Sequence, residues 1–353
     1  MNLCIFASAE RWTVGKIQSQ LYFYKIKEKM KPFFLSAVLL PFLFLSCQKR
    51  TIDTSPLKKQ YIFLGHSYDW LTGNKIDPRL LLLDYSKYDG VWLGGDNCSH
   101  TTREPETVHY LDSIFDLSAP NTHWAVGNHD VLDGNTSRIT DVTKRPLYYG
   151  HYDEAMSILV LNTNLFRLHP DDFPGICEEK ENQLAYIQAF CDTLSHTKNL
   201  VVLHHQAIFN ELRVDANGEQ LKLDNVNFMQ VRSTCDDDSN LTTDFYHYLV
   251  ALKSRGINVF CIAGDVGMIS KGYDVETKDG IHLLGSGINN SMNMEYIPDY
   301  VKNLNPDTVL IIDQYLENDS LVFNFKNLSN LAKKEASPSD WLNERMRILL
   351  TDF

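Results

Sequence analysis

Short apolar runs that stop at a glycine or a polar loop recur along this chain. They cover residues 61–65, 90–95, 122–127, 199–203 and 257–263. Between them, residues 78–85, 106–117, 178–194 and 242–255 carry apolar side chains at three- and four-residue spacing, which is typical of amphipathic helices. This alternation predicts a mostly parallel sheet with helices on its faces, whose ligands lie beyond the carboxyl ends of the strands.

Two other stretches are patterned as antiparallel pairs. Residues 147–152 would pair with 156–162, and residues 308–315 with 321–325 across a short turn. These added strands favour a mixed α/β sandwich over a purely doubly wound sheet. Residues 210–240 lack clear periodicity, so we predict a long loop there that acts as a lid.

A basic stretch and a short apolar run precede the first predicted strand. Residues 29–31 read Lys-Met-Lys, and residues 32–47 are mostly apolar and end in Leu-Ser-Cys. The run is too short to cross a bilayer comfortably, and this order of segments resembles a bacterial lipoprotein signal with Cys47 as the lipidated residue. A buried core helix is the weaker alternative, because Pro41 interrupts the run and polar residues follow it.

The signal sets the expected organisation and location. A signal begins at its own methionine, so residues 1–46 are interpreted as an upstream extension plus a signal peptide that starts at Met30. Residues 47–60 would be a tether, 61–328 the folded domain and 329–353 a C-terminal tail helix. We predict an exported protein facing the periplasm or the outer membrane, with the lipid anchor as its membrane contact.

Charge and cysteine content narrow the partners. The chain has 45 acidic and 33 basic residues, a net charge of -12, which argues against a nucleic-acid partner because such a surface would need positive charge. Cys4 and Cys47 lie in the leader region. The remaining cysteines are Cys98, Cys177, Cys191, Cys235 and Cys261; their number is odd and no CxxC spacing occurs, so pairing is left open. Cys261 lies in an apolar run and is interpreted as a core residue.

Polar residues with metal-ligating chemistry follow successive predicted strands. In chain order these are His66 and Tyr68, then Asp96, then Asn128, His129 and Asp130, then His204 and His205, then Asp265. Each has an ordinary explanation, such as a helix cap for an Asp or a turn for an Asn. Their coincidence at five strand ends indicates a common site, because these ends meet at one edge of a parallel sheet.

Three motifs in this set resemble the calcineurin-like metallophosphoesterases. They are Gly95-Asp96, the run from Gly127 to Asp130 that reads Gly-Asn-His-Asp, and His204-His205 after an apolar strand. The resemblance covers about residues 61–327. It implies a four-layer α/β/β/α sandwich with mixed sheets, and an activity in which divalent metals hydrolyse a phosphate ester.

Two motifs depart from the family pattern. The first strand of the family ends in Asp-x-His, where this chain has His66 and Tyr68; the last family motif is Gly-His-x-His, where this chain has Asp265 and Gly267. By resemblance, one well-formed metal position would use Asp96, Asn128, His204 and Asp265. The second position, with His66, Tyr68 and the shared Asp96, is doubtful.

The resemblance also implies roles for the residues. The ligand set suits Mn²⁺, Fe²⁺, Zn²⁺ or Mg²⁺, and a metal lowers the pKa of bound water from about 16 to about 7–9, which supplies hydroxide. His129 would protonate the leaving oxygen, with Asp130 orienting it; a simple hydrogen-bonding role for His129 is the alternative. His205 is expected to line the pocket or pack beneath it, because strand neighbours point to opposite sides.

Three functions stay open from the sequence. The first is an exported, metal-dependent hydrolase of a phosphomonoester or phosphodiester, with a small-molecule, glycan or lipid substrate. The second is a catalytically silent relative that binds an anionic ligand in the same cleft, favoured by the lost Gly-His-x-His motif. The third is a hydrolase whose altered site cleaves another bond.

Overall fold

A computed structural model describes residues 57–166, 175–209, 235, 241–266, 272–288 and 306–351. The predicted extension, signal peptide and most of the tether lie outside the described residues, as does the predicted lid apart from Cys235. The described residues all belong to one unit, Pro56–Phe353. Among them, no helix combines the length and apolarity needed to cross a bilayer.

The strands and helices follow the apolar periodicities of the sequence. The strands are β1 (Lys58–Leu64), β2 (Gly90–Leu93), β3 (His123–Trp124), β4 (Tyr149–His151), β5 (Met156–Val160), β6 (Asn199–Gln206), β7 (Asn258–Asp265), β8 (Gly272–Glu276), β9 (His282–Ser286), β10 (Thr308–Tyr315) and β11 (Ser320–Asn327). The α-helices are α1 (Pro105–Phe115), α2 (Asn128–Val131), α3 (Ser137–Thr143), α4 (Ile176–Thr193), α5 (Leu241–Ser254), α6 (Leu328–Lys333) and α7 (Glu344–Thr351). Short 3₁₀ turns occupy Pro78–Leu82, Tyr85–Lys87, Thr163–Phe166 and Asp340–Leu342.

These strands form two mixed sheets. The first has the order β11-β10-β1-β2-β3, with β1, β2 and β3 parallel and β10 antiparallel to both of its neighbours. The second has the order β4-β5-β6-β7-β9-β8, with four parallel central strands and antiparallel strands at both edges. Both predicted antiparallel pairs are confirmed, whereas β8 and β9, at one edge of the second sheet, were not predicted.

Three apolar clusters define the layers. One lies between the sheets and includes Phe63, Trp92 and Leu203. A second packs α4 and α5 on the outer face of the six-stranded sheet, and a third packs α1 and the C-terminal helices on the outer face of the five-stranded sheet. The predicted α/β/β/α sandwich with mixed sheets is therefore confirmed.

Glycines bring the two sheets into backbone contact at the carboxyl ends of the central strands. A Cβ at Gly264, near the end of β7, would lie 2.0 Å from the Gly94 carbonyl oxygen after β2. A Cβ at Gly65, after β1, would lie 2.5 Å from the Gly264 carbonyl oxygen. Because glycine has no side chain, the loops from the two sheets can touch at these positions. The candidate site lies at this contact.

The structure settles the cysteine pairing that the sequence left open. Cys177, at the start of α4, forms a disulfide with Cys235, 58 residues later. Cys98, Cys191 and Cys261 are buried free thiols. The bond ties the segment that contains the predicted lid to the first turn of α4.

Candidate functional site

The loops after β1 and β2 turn sharply where they reach the site. His66 has φ 49° and Asp96 has φ 52°, both in the left-handed region that non-glycine residues rarely occupy. Such conformations cost on the order of 1–3 kcal/mol each and occur in proteins mostly at functional positions. Hydrogen bonds hold the two loops together, since the backbone N–H of His66 donates to Gly95 at 3.0 Å and that of Tyr68 to Asp96 at 3.2 Å.

Asp96 is the buried carboxylate at the centre of the site. Its Oδ1 accepts the backbone N–H of His129 at 2.9 Å. Its Oδ2 lies 3.2 Å from Nε2 of His205 and 3.5 Å from Nε2 of His66. Burial alone would raise the pKa of Asp96, but the facing imidazole of His205 lowers it below its usual value, so the carboxylate stays ionised.

His205, rather than His204, reaches this carboxylate, which corrects the sequence expectation. Along β6, Val201 and Leu203 pack between the sheets, and His205 continues that face. His204 lies on the alternate face, toward the helices, and its Nδ1 donates to the Gln206 carbonyl oxygen at 2.7 Å. The alternation along the strand was predicted, but the face toward the site was assigned to the wrong histidine.

His205 is held as a positively charged donor. Its Nδ1 donates to the Gly94 carbonyl oxygen at 2.7 Å, and its Nε2 faces Asp96. Burial alone would lower the pKa of His205, but Asp96 and, more weakly, Asp265 outweigh it and raise the pKa to about 9. The site therefore stabilises a positive charge at Nε2.

Asp130 does not orient His129, so the orienting role expected for it is wrong. Its buried carboxylate instead gathers the turns around the site. It accepts hydrogen bonds from the backbone N–H groups of Asp96, Asn97 and Gly127, from the Thr101 hydroxyl and from the Trp124 indole. A carboxylate with this many donors is a structural anchor, because its accepting capacity is largely used.

His129 is anchored by a backbone oxygen in place of Asp130. Its Nδ1 lies 2.9 Å from the Ser99 carbonyl oxygen. Because a carbonyl oxygen only accepts, Nδ1 carries the proton, and Nε2 is the nitrogen left for proton transfer. The ring is partly exposed and lies 5.4 Å from the ring of Tyr68.

The other predicted ligands differ in their surroundings. Oδ1 of Asn128 accepts from Nε2 of Gln206 at 3.3 Å. Asp265, at the end of β7, is the register partner of Gln206, and its charge contributes to raising the pKa of His205 and of Tyr68. Burial raises the pKa of Tyr68 well above its usual value, so its phenol stays protonated, which disfavours it as a metal ligand.

The predicted four-ligand metal centre is not assembled in the described residues. Within them, no group of three or more His, Cys, Asp or Glu side chains is arranged to hold a metal ion. His204 lies on the opposite face of β6 and so is separated from the other three predicted ligands, Asp96, Asn128 and Asp265. Gly267, at the family position of a second histidine, lies outside the described residues.

A site with fewer protein ligands does fit a divalent cation. The Nε2 of His205 is buried and faces Oδ2 of Asp96 at 3.2 Å without an aligned hydrogen bond. Once a cation displaces the Nε2 proton, this imidazole and the ionised carboxylate are both suitable donors. Mg²⁺ in particular is commonly bound through one or two carboxylates, with water and substrate phosphate completing its shell.

Other polar side chains in the loops after β2 and β3 have structural roles. Arg138 donates to the backbone oxygens of Thr102 and Arg103, and Arg145 donates to several backbone oxygens after α1. Cys98 is buried, and His100 pairs with Asp133 at 3.1 Å. Sequence reasoning expected His205 to line the pocket or pack beneath it and missed Ser99 altogether. Only the register of β6 could have indicated that His205 faces Asp96, and a backbone acceptor such as the Ser99 oxygen leaves no signal in residue type.

Comparisons with known proteins found structural similarity but no match in sequence. No protein-family model matches the chain, and no curated protein matches it. Among solved structures it is similar to GAP50, the anchor in the inner membrane complex of Plasmodium, with 12% identity, a TM-score of 0.43 and coverage of 77% of this chain and 85% of that one. It is also similar to a metallophosphoesterase from Sphaerobacter thermophilus, with 11% identity, a TM-score of 0.30 and coverage of 83% and 98%.

Proposed function

We propose that this protein is an exported hydrolase that cleaves a phosphate ester with the help of a divalent cation held at Asp96 and His205. The observation that carries the proposal is the buried pair formed by the ionised Oδ2 of Asp96 and Nε2 of His205, two potential ligand atoms that lie 3.2 Å apart without an aligned hydrogen bond. Asn128, Asp265 and His66 lie around this pair as further candidate donors.

The charges of the site favour a cation over direct binding of an anion. Asp96 and Asp265 are both buried carboxylates, and their charges raise the pKa of the His205 imidazole. A phosphate ester brings additional negative charge, which two carboxylates would repel in a region of low dielectric. A divalent cation in place of the His205 proton would remove that repulsion.

The bound cation would polarise the phosphoryl group and supply hydroxide near neutral pH. The chain itself positions the remaining chemistry. The backbone N–H of His129 fixes Oδ1 of Asp96, and the Ser99 oxygen fixes the His129 ring. In the imidazolium form of His129, Nε2 can then deliver its proton to the departing oxygen, which leaves the neutral ring with its proton on Nδ1.

The disulfide supports the proposed export. Disulfides persist in oxidising compartments such as the periplasm and are rare in the cytosol. Cys177 and Cys235 are paired within the described residues. This pairing agrees with export directed by the signal-like segment that ends at Cys47.

The test joins cation binding to turnover in the purified protein. Binding of Mn²⁺, Mg²⁺, Zn²⁺ and Fe²⁺ is measured by calorimetry, and hydrolysis is measured on an aryl phosphomonoester and an aryl phosphodiester. We expect Asp96→Asn to lose both cation binding and turnover, and His129→Ala to keep cation binding but lower kcat by about 100-fold or more. Asp313→Asn is the control, since that carboxylate pairs with Lys58 away from the site. Unchanged turnover in the first two variants would remove the assigned roles.

The second candidate is a catalytically silent domain that binds a ligand in the same cleft. One observation favours it, namely that no three ligand-type side chains of the described residues form a metal centre. If the wild-type protein binds a phosphate ester but hydrolyses neither substrate with any cation, the silent domain is the correct alternative.

A further inference from the structure

A ladder of aromatic rings adjoins the candidate site. The rings of Tyr68 and Trp70 lie 4.9 Å apart, and Trp70 stacks on His66 at 5.8 Å. Tyr68 continues the ladder to His129 at 5.4 Å. The rings therefore lead from the proposed proton donor to Trp70.

Trp70 differs from a tryptophan that serves the core alone. Trp92 is fully buried between the sheets, where it stacks on Tyr61 at 4.9 Å. Trp70 keeps part of its surface exposed, and the next residue, Leu71, is 56% exposed. An indole kept partly in solvent beside the candidate site offers an apolar surface to a ligand.

The loop that carries Trp70 is rigid. Tyr68 bridges to Ile76, and the Asp69 carboxylate accepts from the Leu71 backbone N–H at 3.1 Å and the Thr72 hydroxyl at 2.9 Å. Arg345 of α7 also pairs with Asp69. A surface held in place in this way loses little entropy when a ligand binds to it.

The same loop is hydrogen bonded to the support of His129. The Gly73 oxygen accepts the Ser99 backbone N–H at 2.6 Å, and the Ser99 oxygen accepts Nδ1 of His129. Trp70 and His129 are thus fixed relative to each other through one residue. A group that leaves from beside His129 would meet the face of this ladder.

We propose that Trp70, backed by Tyr68, is a recognition wall on which a flat aromatic ring in the leaving group of the phosphate ester stacks. The inference rests on the proposed function for its placement of His129 beside the leaving oxygen. It names the substrate class as phosphate esters of ring-bearing alcohols, such as aryl-methyl alcohols or nucleosides.

The test compares a flat ring with a puckered ring of the same size. Benzylphosphonate and cyclohexylmethylphosphonate are titrated by calorimetry, and kcat/KM is measured for the corresponding phosphate esters, whose leaving alcohols have similar acidity. We expect the wild-type protein to favour the flat ring by about 2- to 12-fold in both measurements, the range of an aromatic pair. Trp70→Leu should abolish the preference, and Trp70→Phe should keep most of it. Leu71→Ala, the matched control on the same loop, should leave it unchanged.

The outcomes separate this inference from the proposed function. A preference in phosphonate binding that Trp70→Leu abolishes supports the wall even if no ester is hydrolysed, a result that would contradict the hydrolase alone. Failure of both phosphonates to bind, or a preference that Trp70→Leu leaves intact, overturns the wall. Adenosine 5′-monophosphate against ribose 5-phosphate then distinguishes a nucleobase from an aryl group as the ring.

Discussion

Two buried ionic clusters in this protein differ in how completely their polar atoms are paired. Arg79, fully buried, donates to both oxygens of Asp77, to Asp307 and to the Ser329 hydroxyl. In the site, by contrast, Nδ1 of His66 is buried without a hydrogen bond, and Nε2 of His205 faces Oδ2 of Asp96 at 3.2 Å without an aligned hydrogen bond. A buried charge is stable only when it is well paired, so the first cluster is structural. The incomplete pairing of the second cluster leaves polar atoms available to bind a ligand.

Loss of the Arg79 side chain should have the largest effect on stability. Arg79→Met would leave the Asp77 and Asp307 carboxylates buried without their cation, and removal of one partner from a buried pair costs about 3–5 kcal/mol. We expect the free energy of unfolding, measured by urea titration, to fall by this amount. A loss below about 1 kcal/mol, the level of an exposed pair, would erase the distinction between the clusters.

The same contrast exists within the site. The Asp130 carboxylate accepts five hydrogen bonds, whereas the neighbouring pair of Asp96 and His205 is incompletely hydrogen bonded. Asp130→Asn would turn an accepting oxygen into an amino group that faces N–H donors, and each buried polar group left unpaired costs about 1–3 kcal/mol. Urea titration should show a loss in this range. Asp133→Asn, a partly exposed neighbour, is the matched control and should change the free energy of unfolding by much less.

The His205 pair should make stability depend on alkaline pH. The folded-state pKa of His205, about 9, lies above its unfolded value, which is about 6.5. Its contribution is therefore complete below about pH 6.5 and is lost as pH rises through about 9, by on the order of 3 kcal/mol. His205→Gln should flatten this slope in cation-free protein. Saturating Mn²⁺ should flatten it in the wild type as well; a slope unaffected by Mn²⁺ would count against a cation at His205.

The ion pair between Arg345 and Asp69 should give the smallest effect, because the arginine side chain is 32% exposed. For Arg345→Ala we expect a loss of about 1 kcal/mol or less in the free energy of unfolding. Proteolysis of the loop after β1 should increase at the same time, since Asp69 organises that loop. A loss as large as that of Arg79→Met would mean that exposure does not separate these pairs.

The fold was more predictable than the site, for physical reasons. Apolar runs with a period of two or 3.6 residues predicted β1, β2, β6, β7 and the long helices, because burial of one face dictates that spacing. Strands β8 and β9 were missed because Gly272–Glu276 and His282–Ser286 lack a continuous apolar run and are defined by pairing with each other and with β7.

The site was predictable at the level of loops and less so at the level of side chains. The sequence located Asp96, Asn128 and His129 at strand ends, because a parallel sheet gathers those ends. The ligand role was assigned to His204 instead of His205, because the face of β6 that points toward the site depends on sheet packing. It also assigned Asp130 to His129, because the Ser99 oxygen that holds the ring belongs to the backbone and is independent of residue type.

The glycine contacts between the sheets restrict how this protein can acquire new activities. With Gly264 and Gly94 touching through their backbones, the gap between the layers cannot be widened or narrowed by exchanging side chains there. A laboratory selection for new substrates should therefore accumulate its changes in the connecting segments, with these glycines unchanged among the survivors. The distance between the two sheets should therefore stay constant, while changes in specificity arise in the connecting loops.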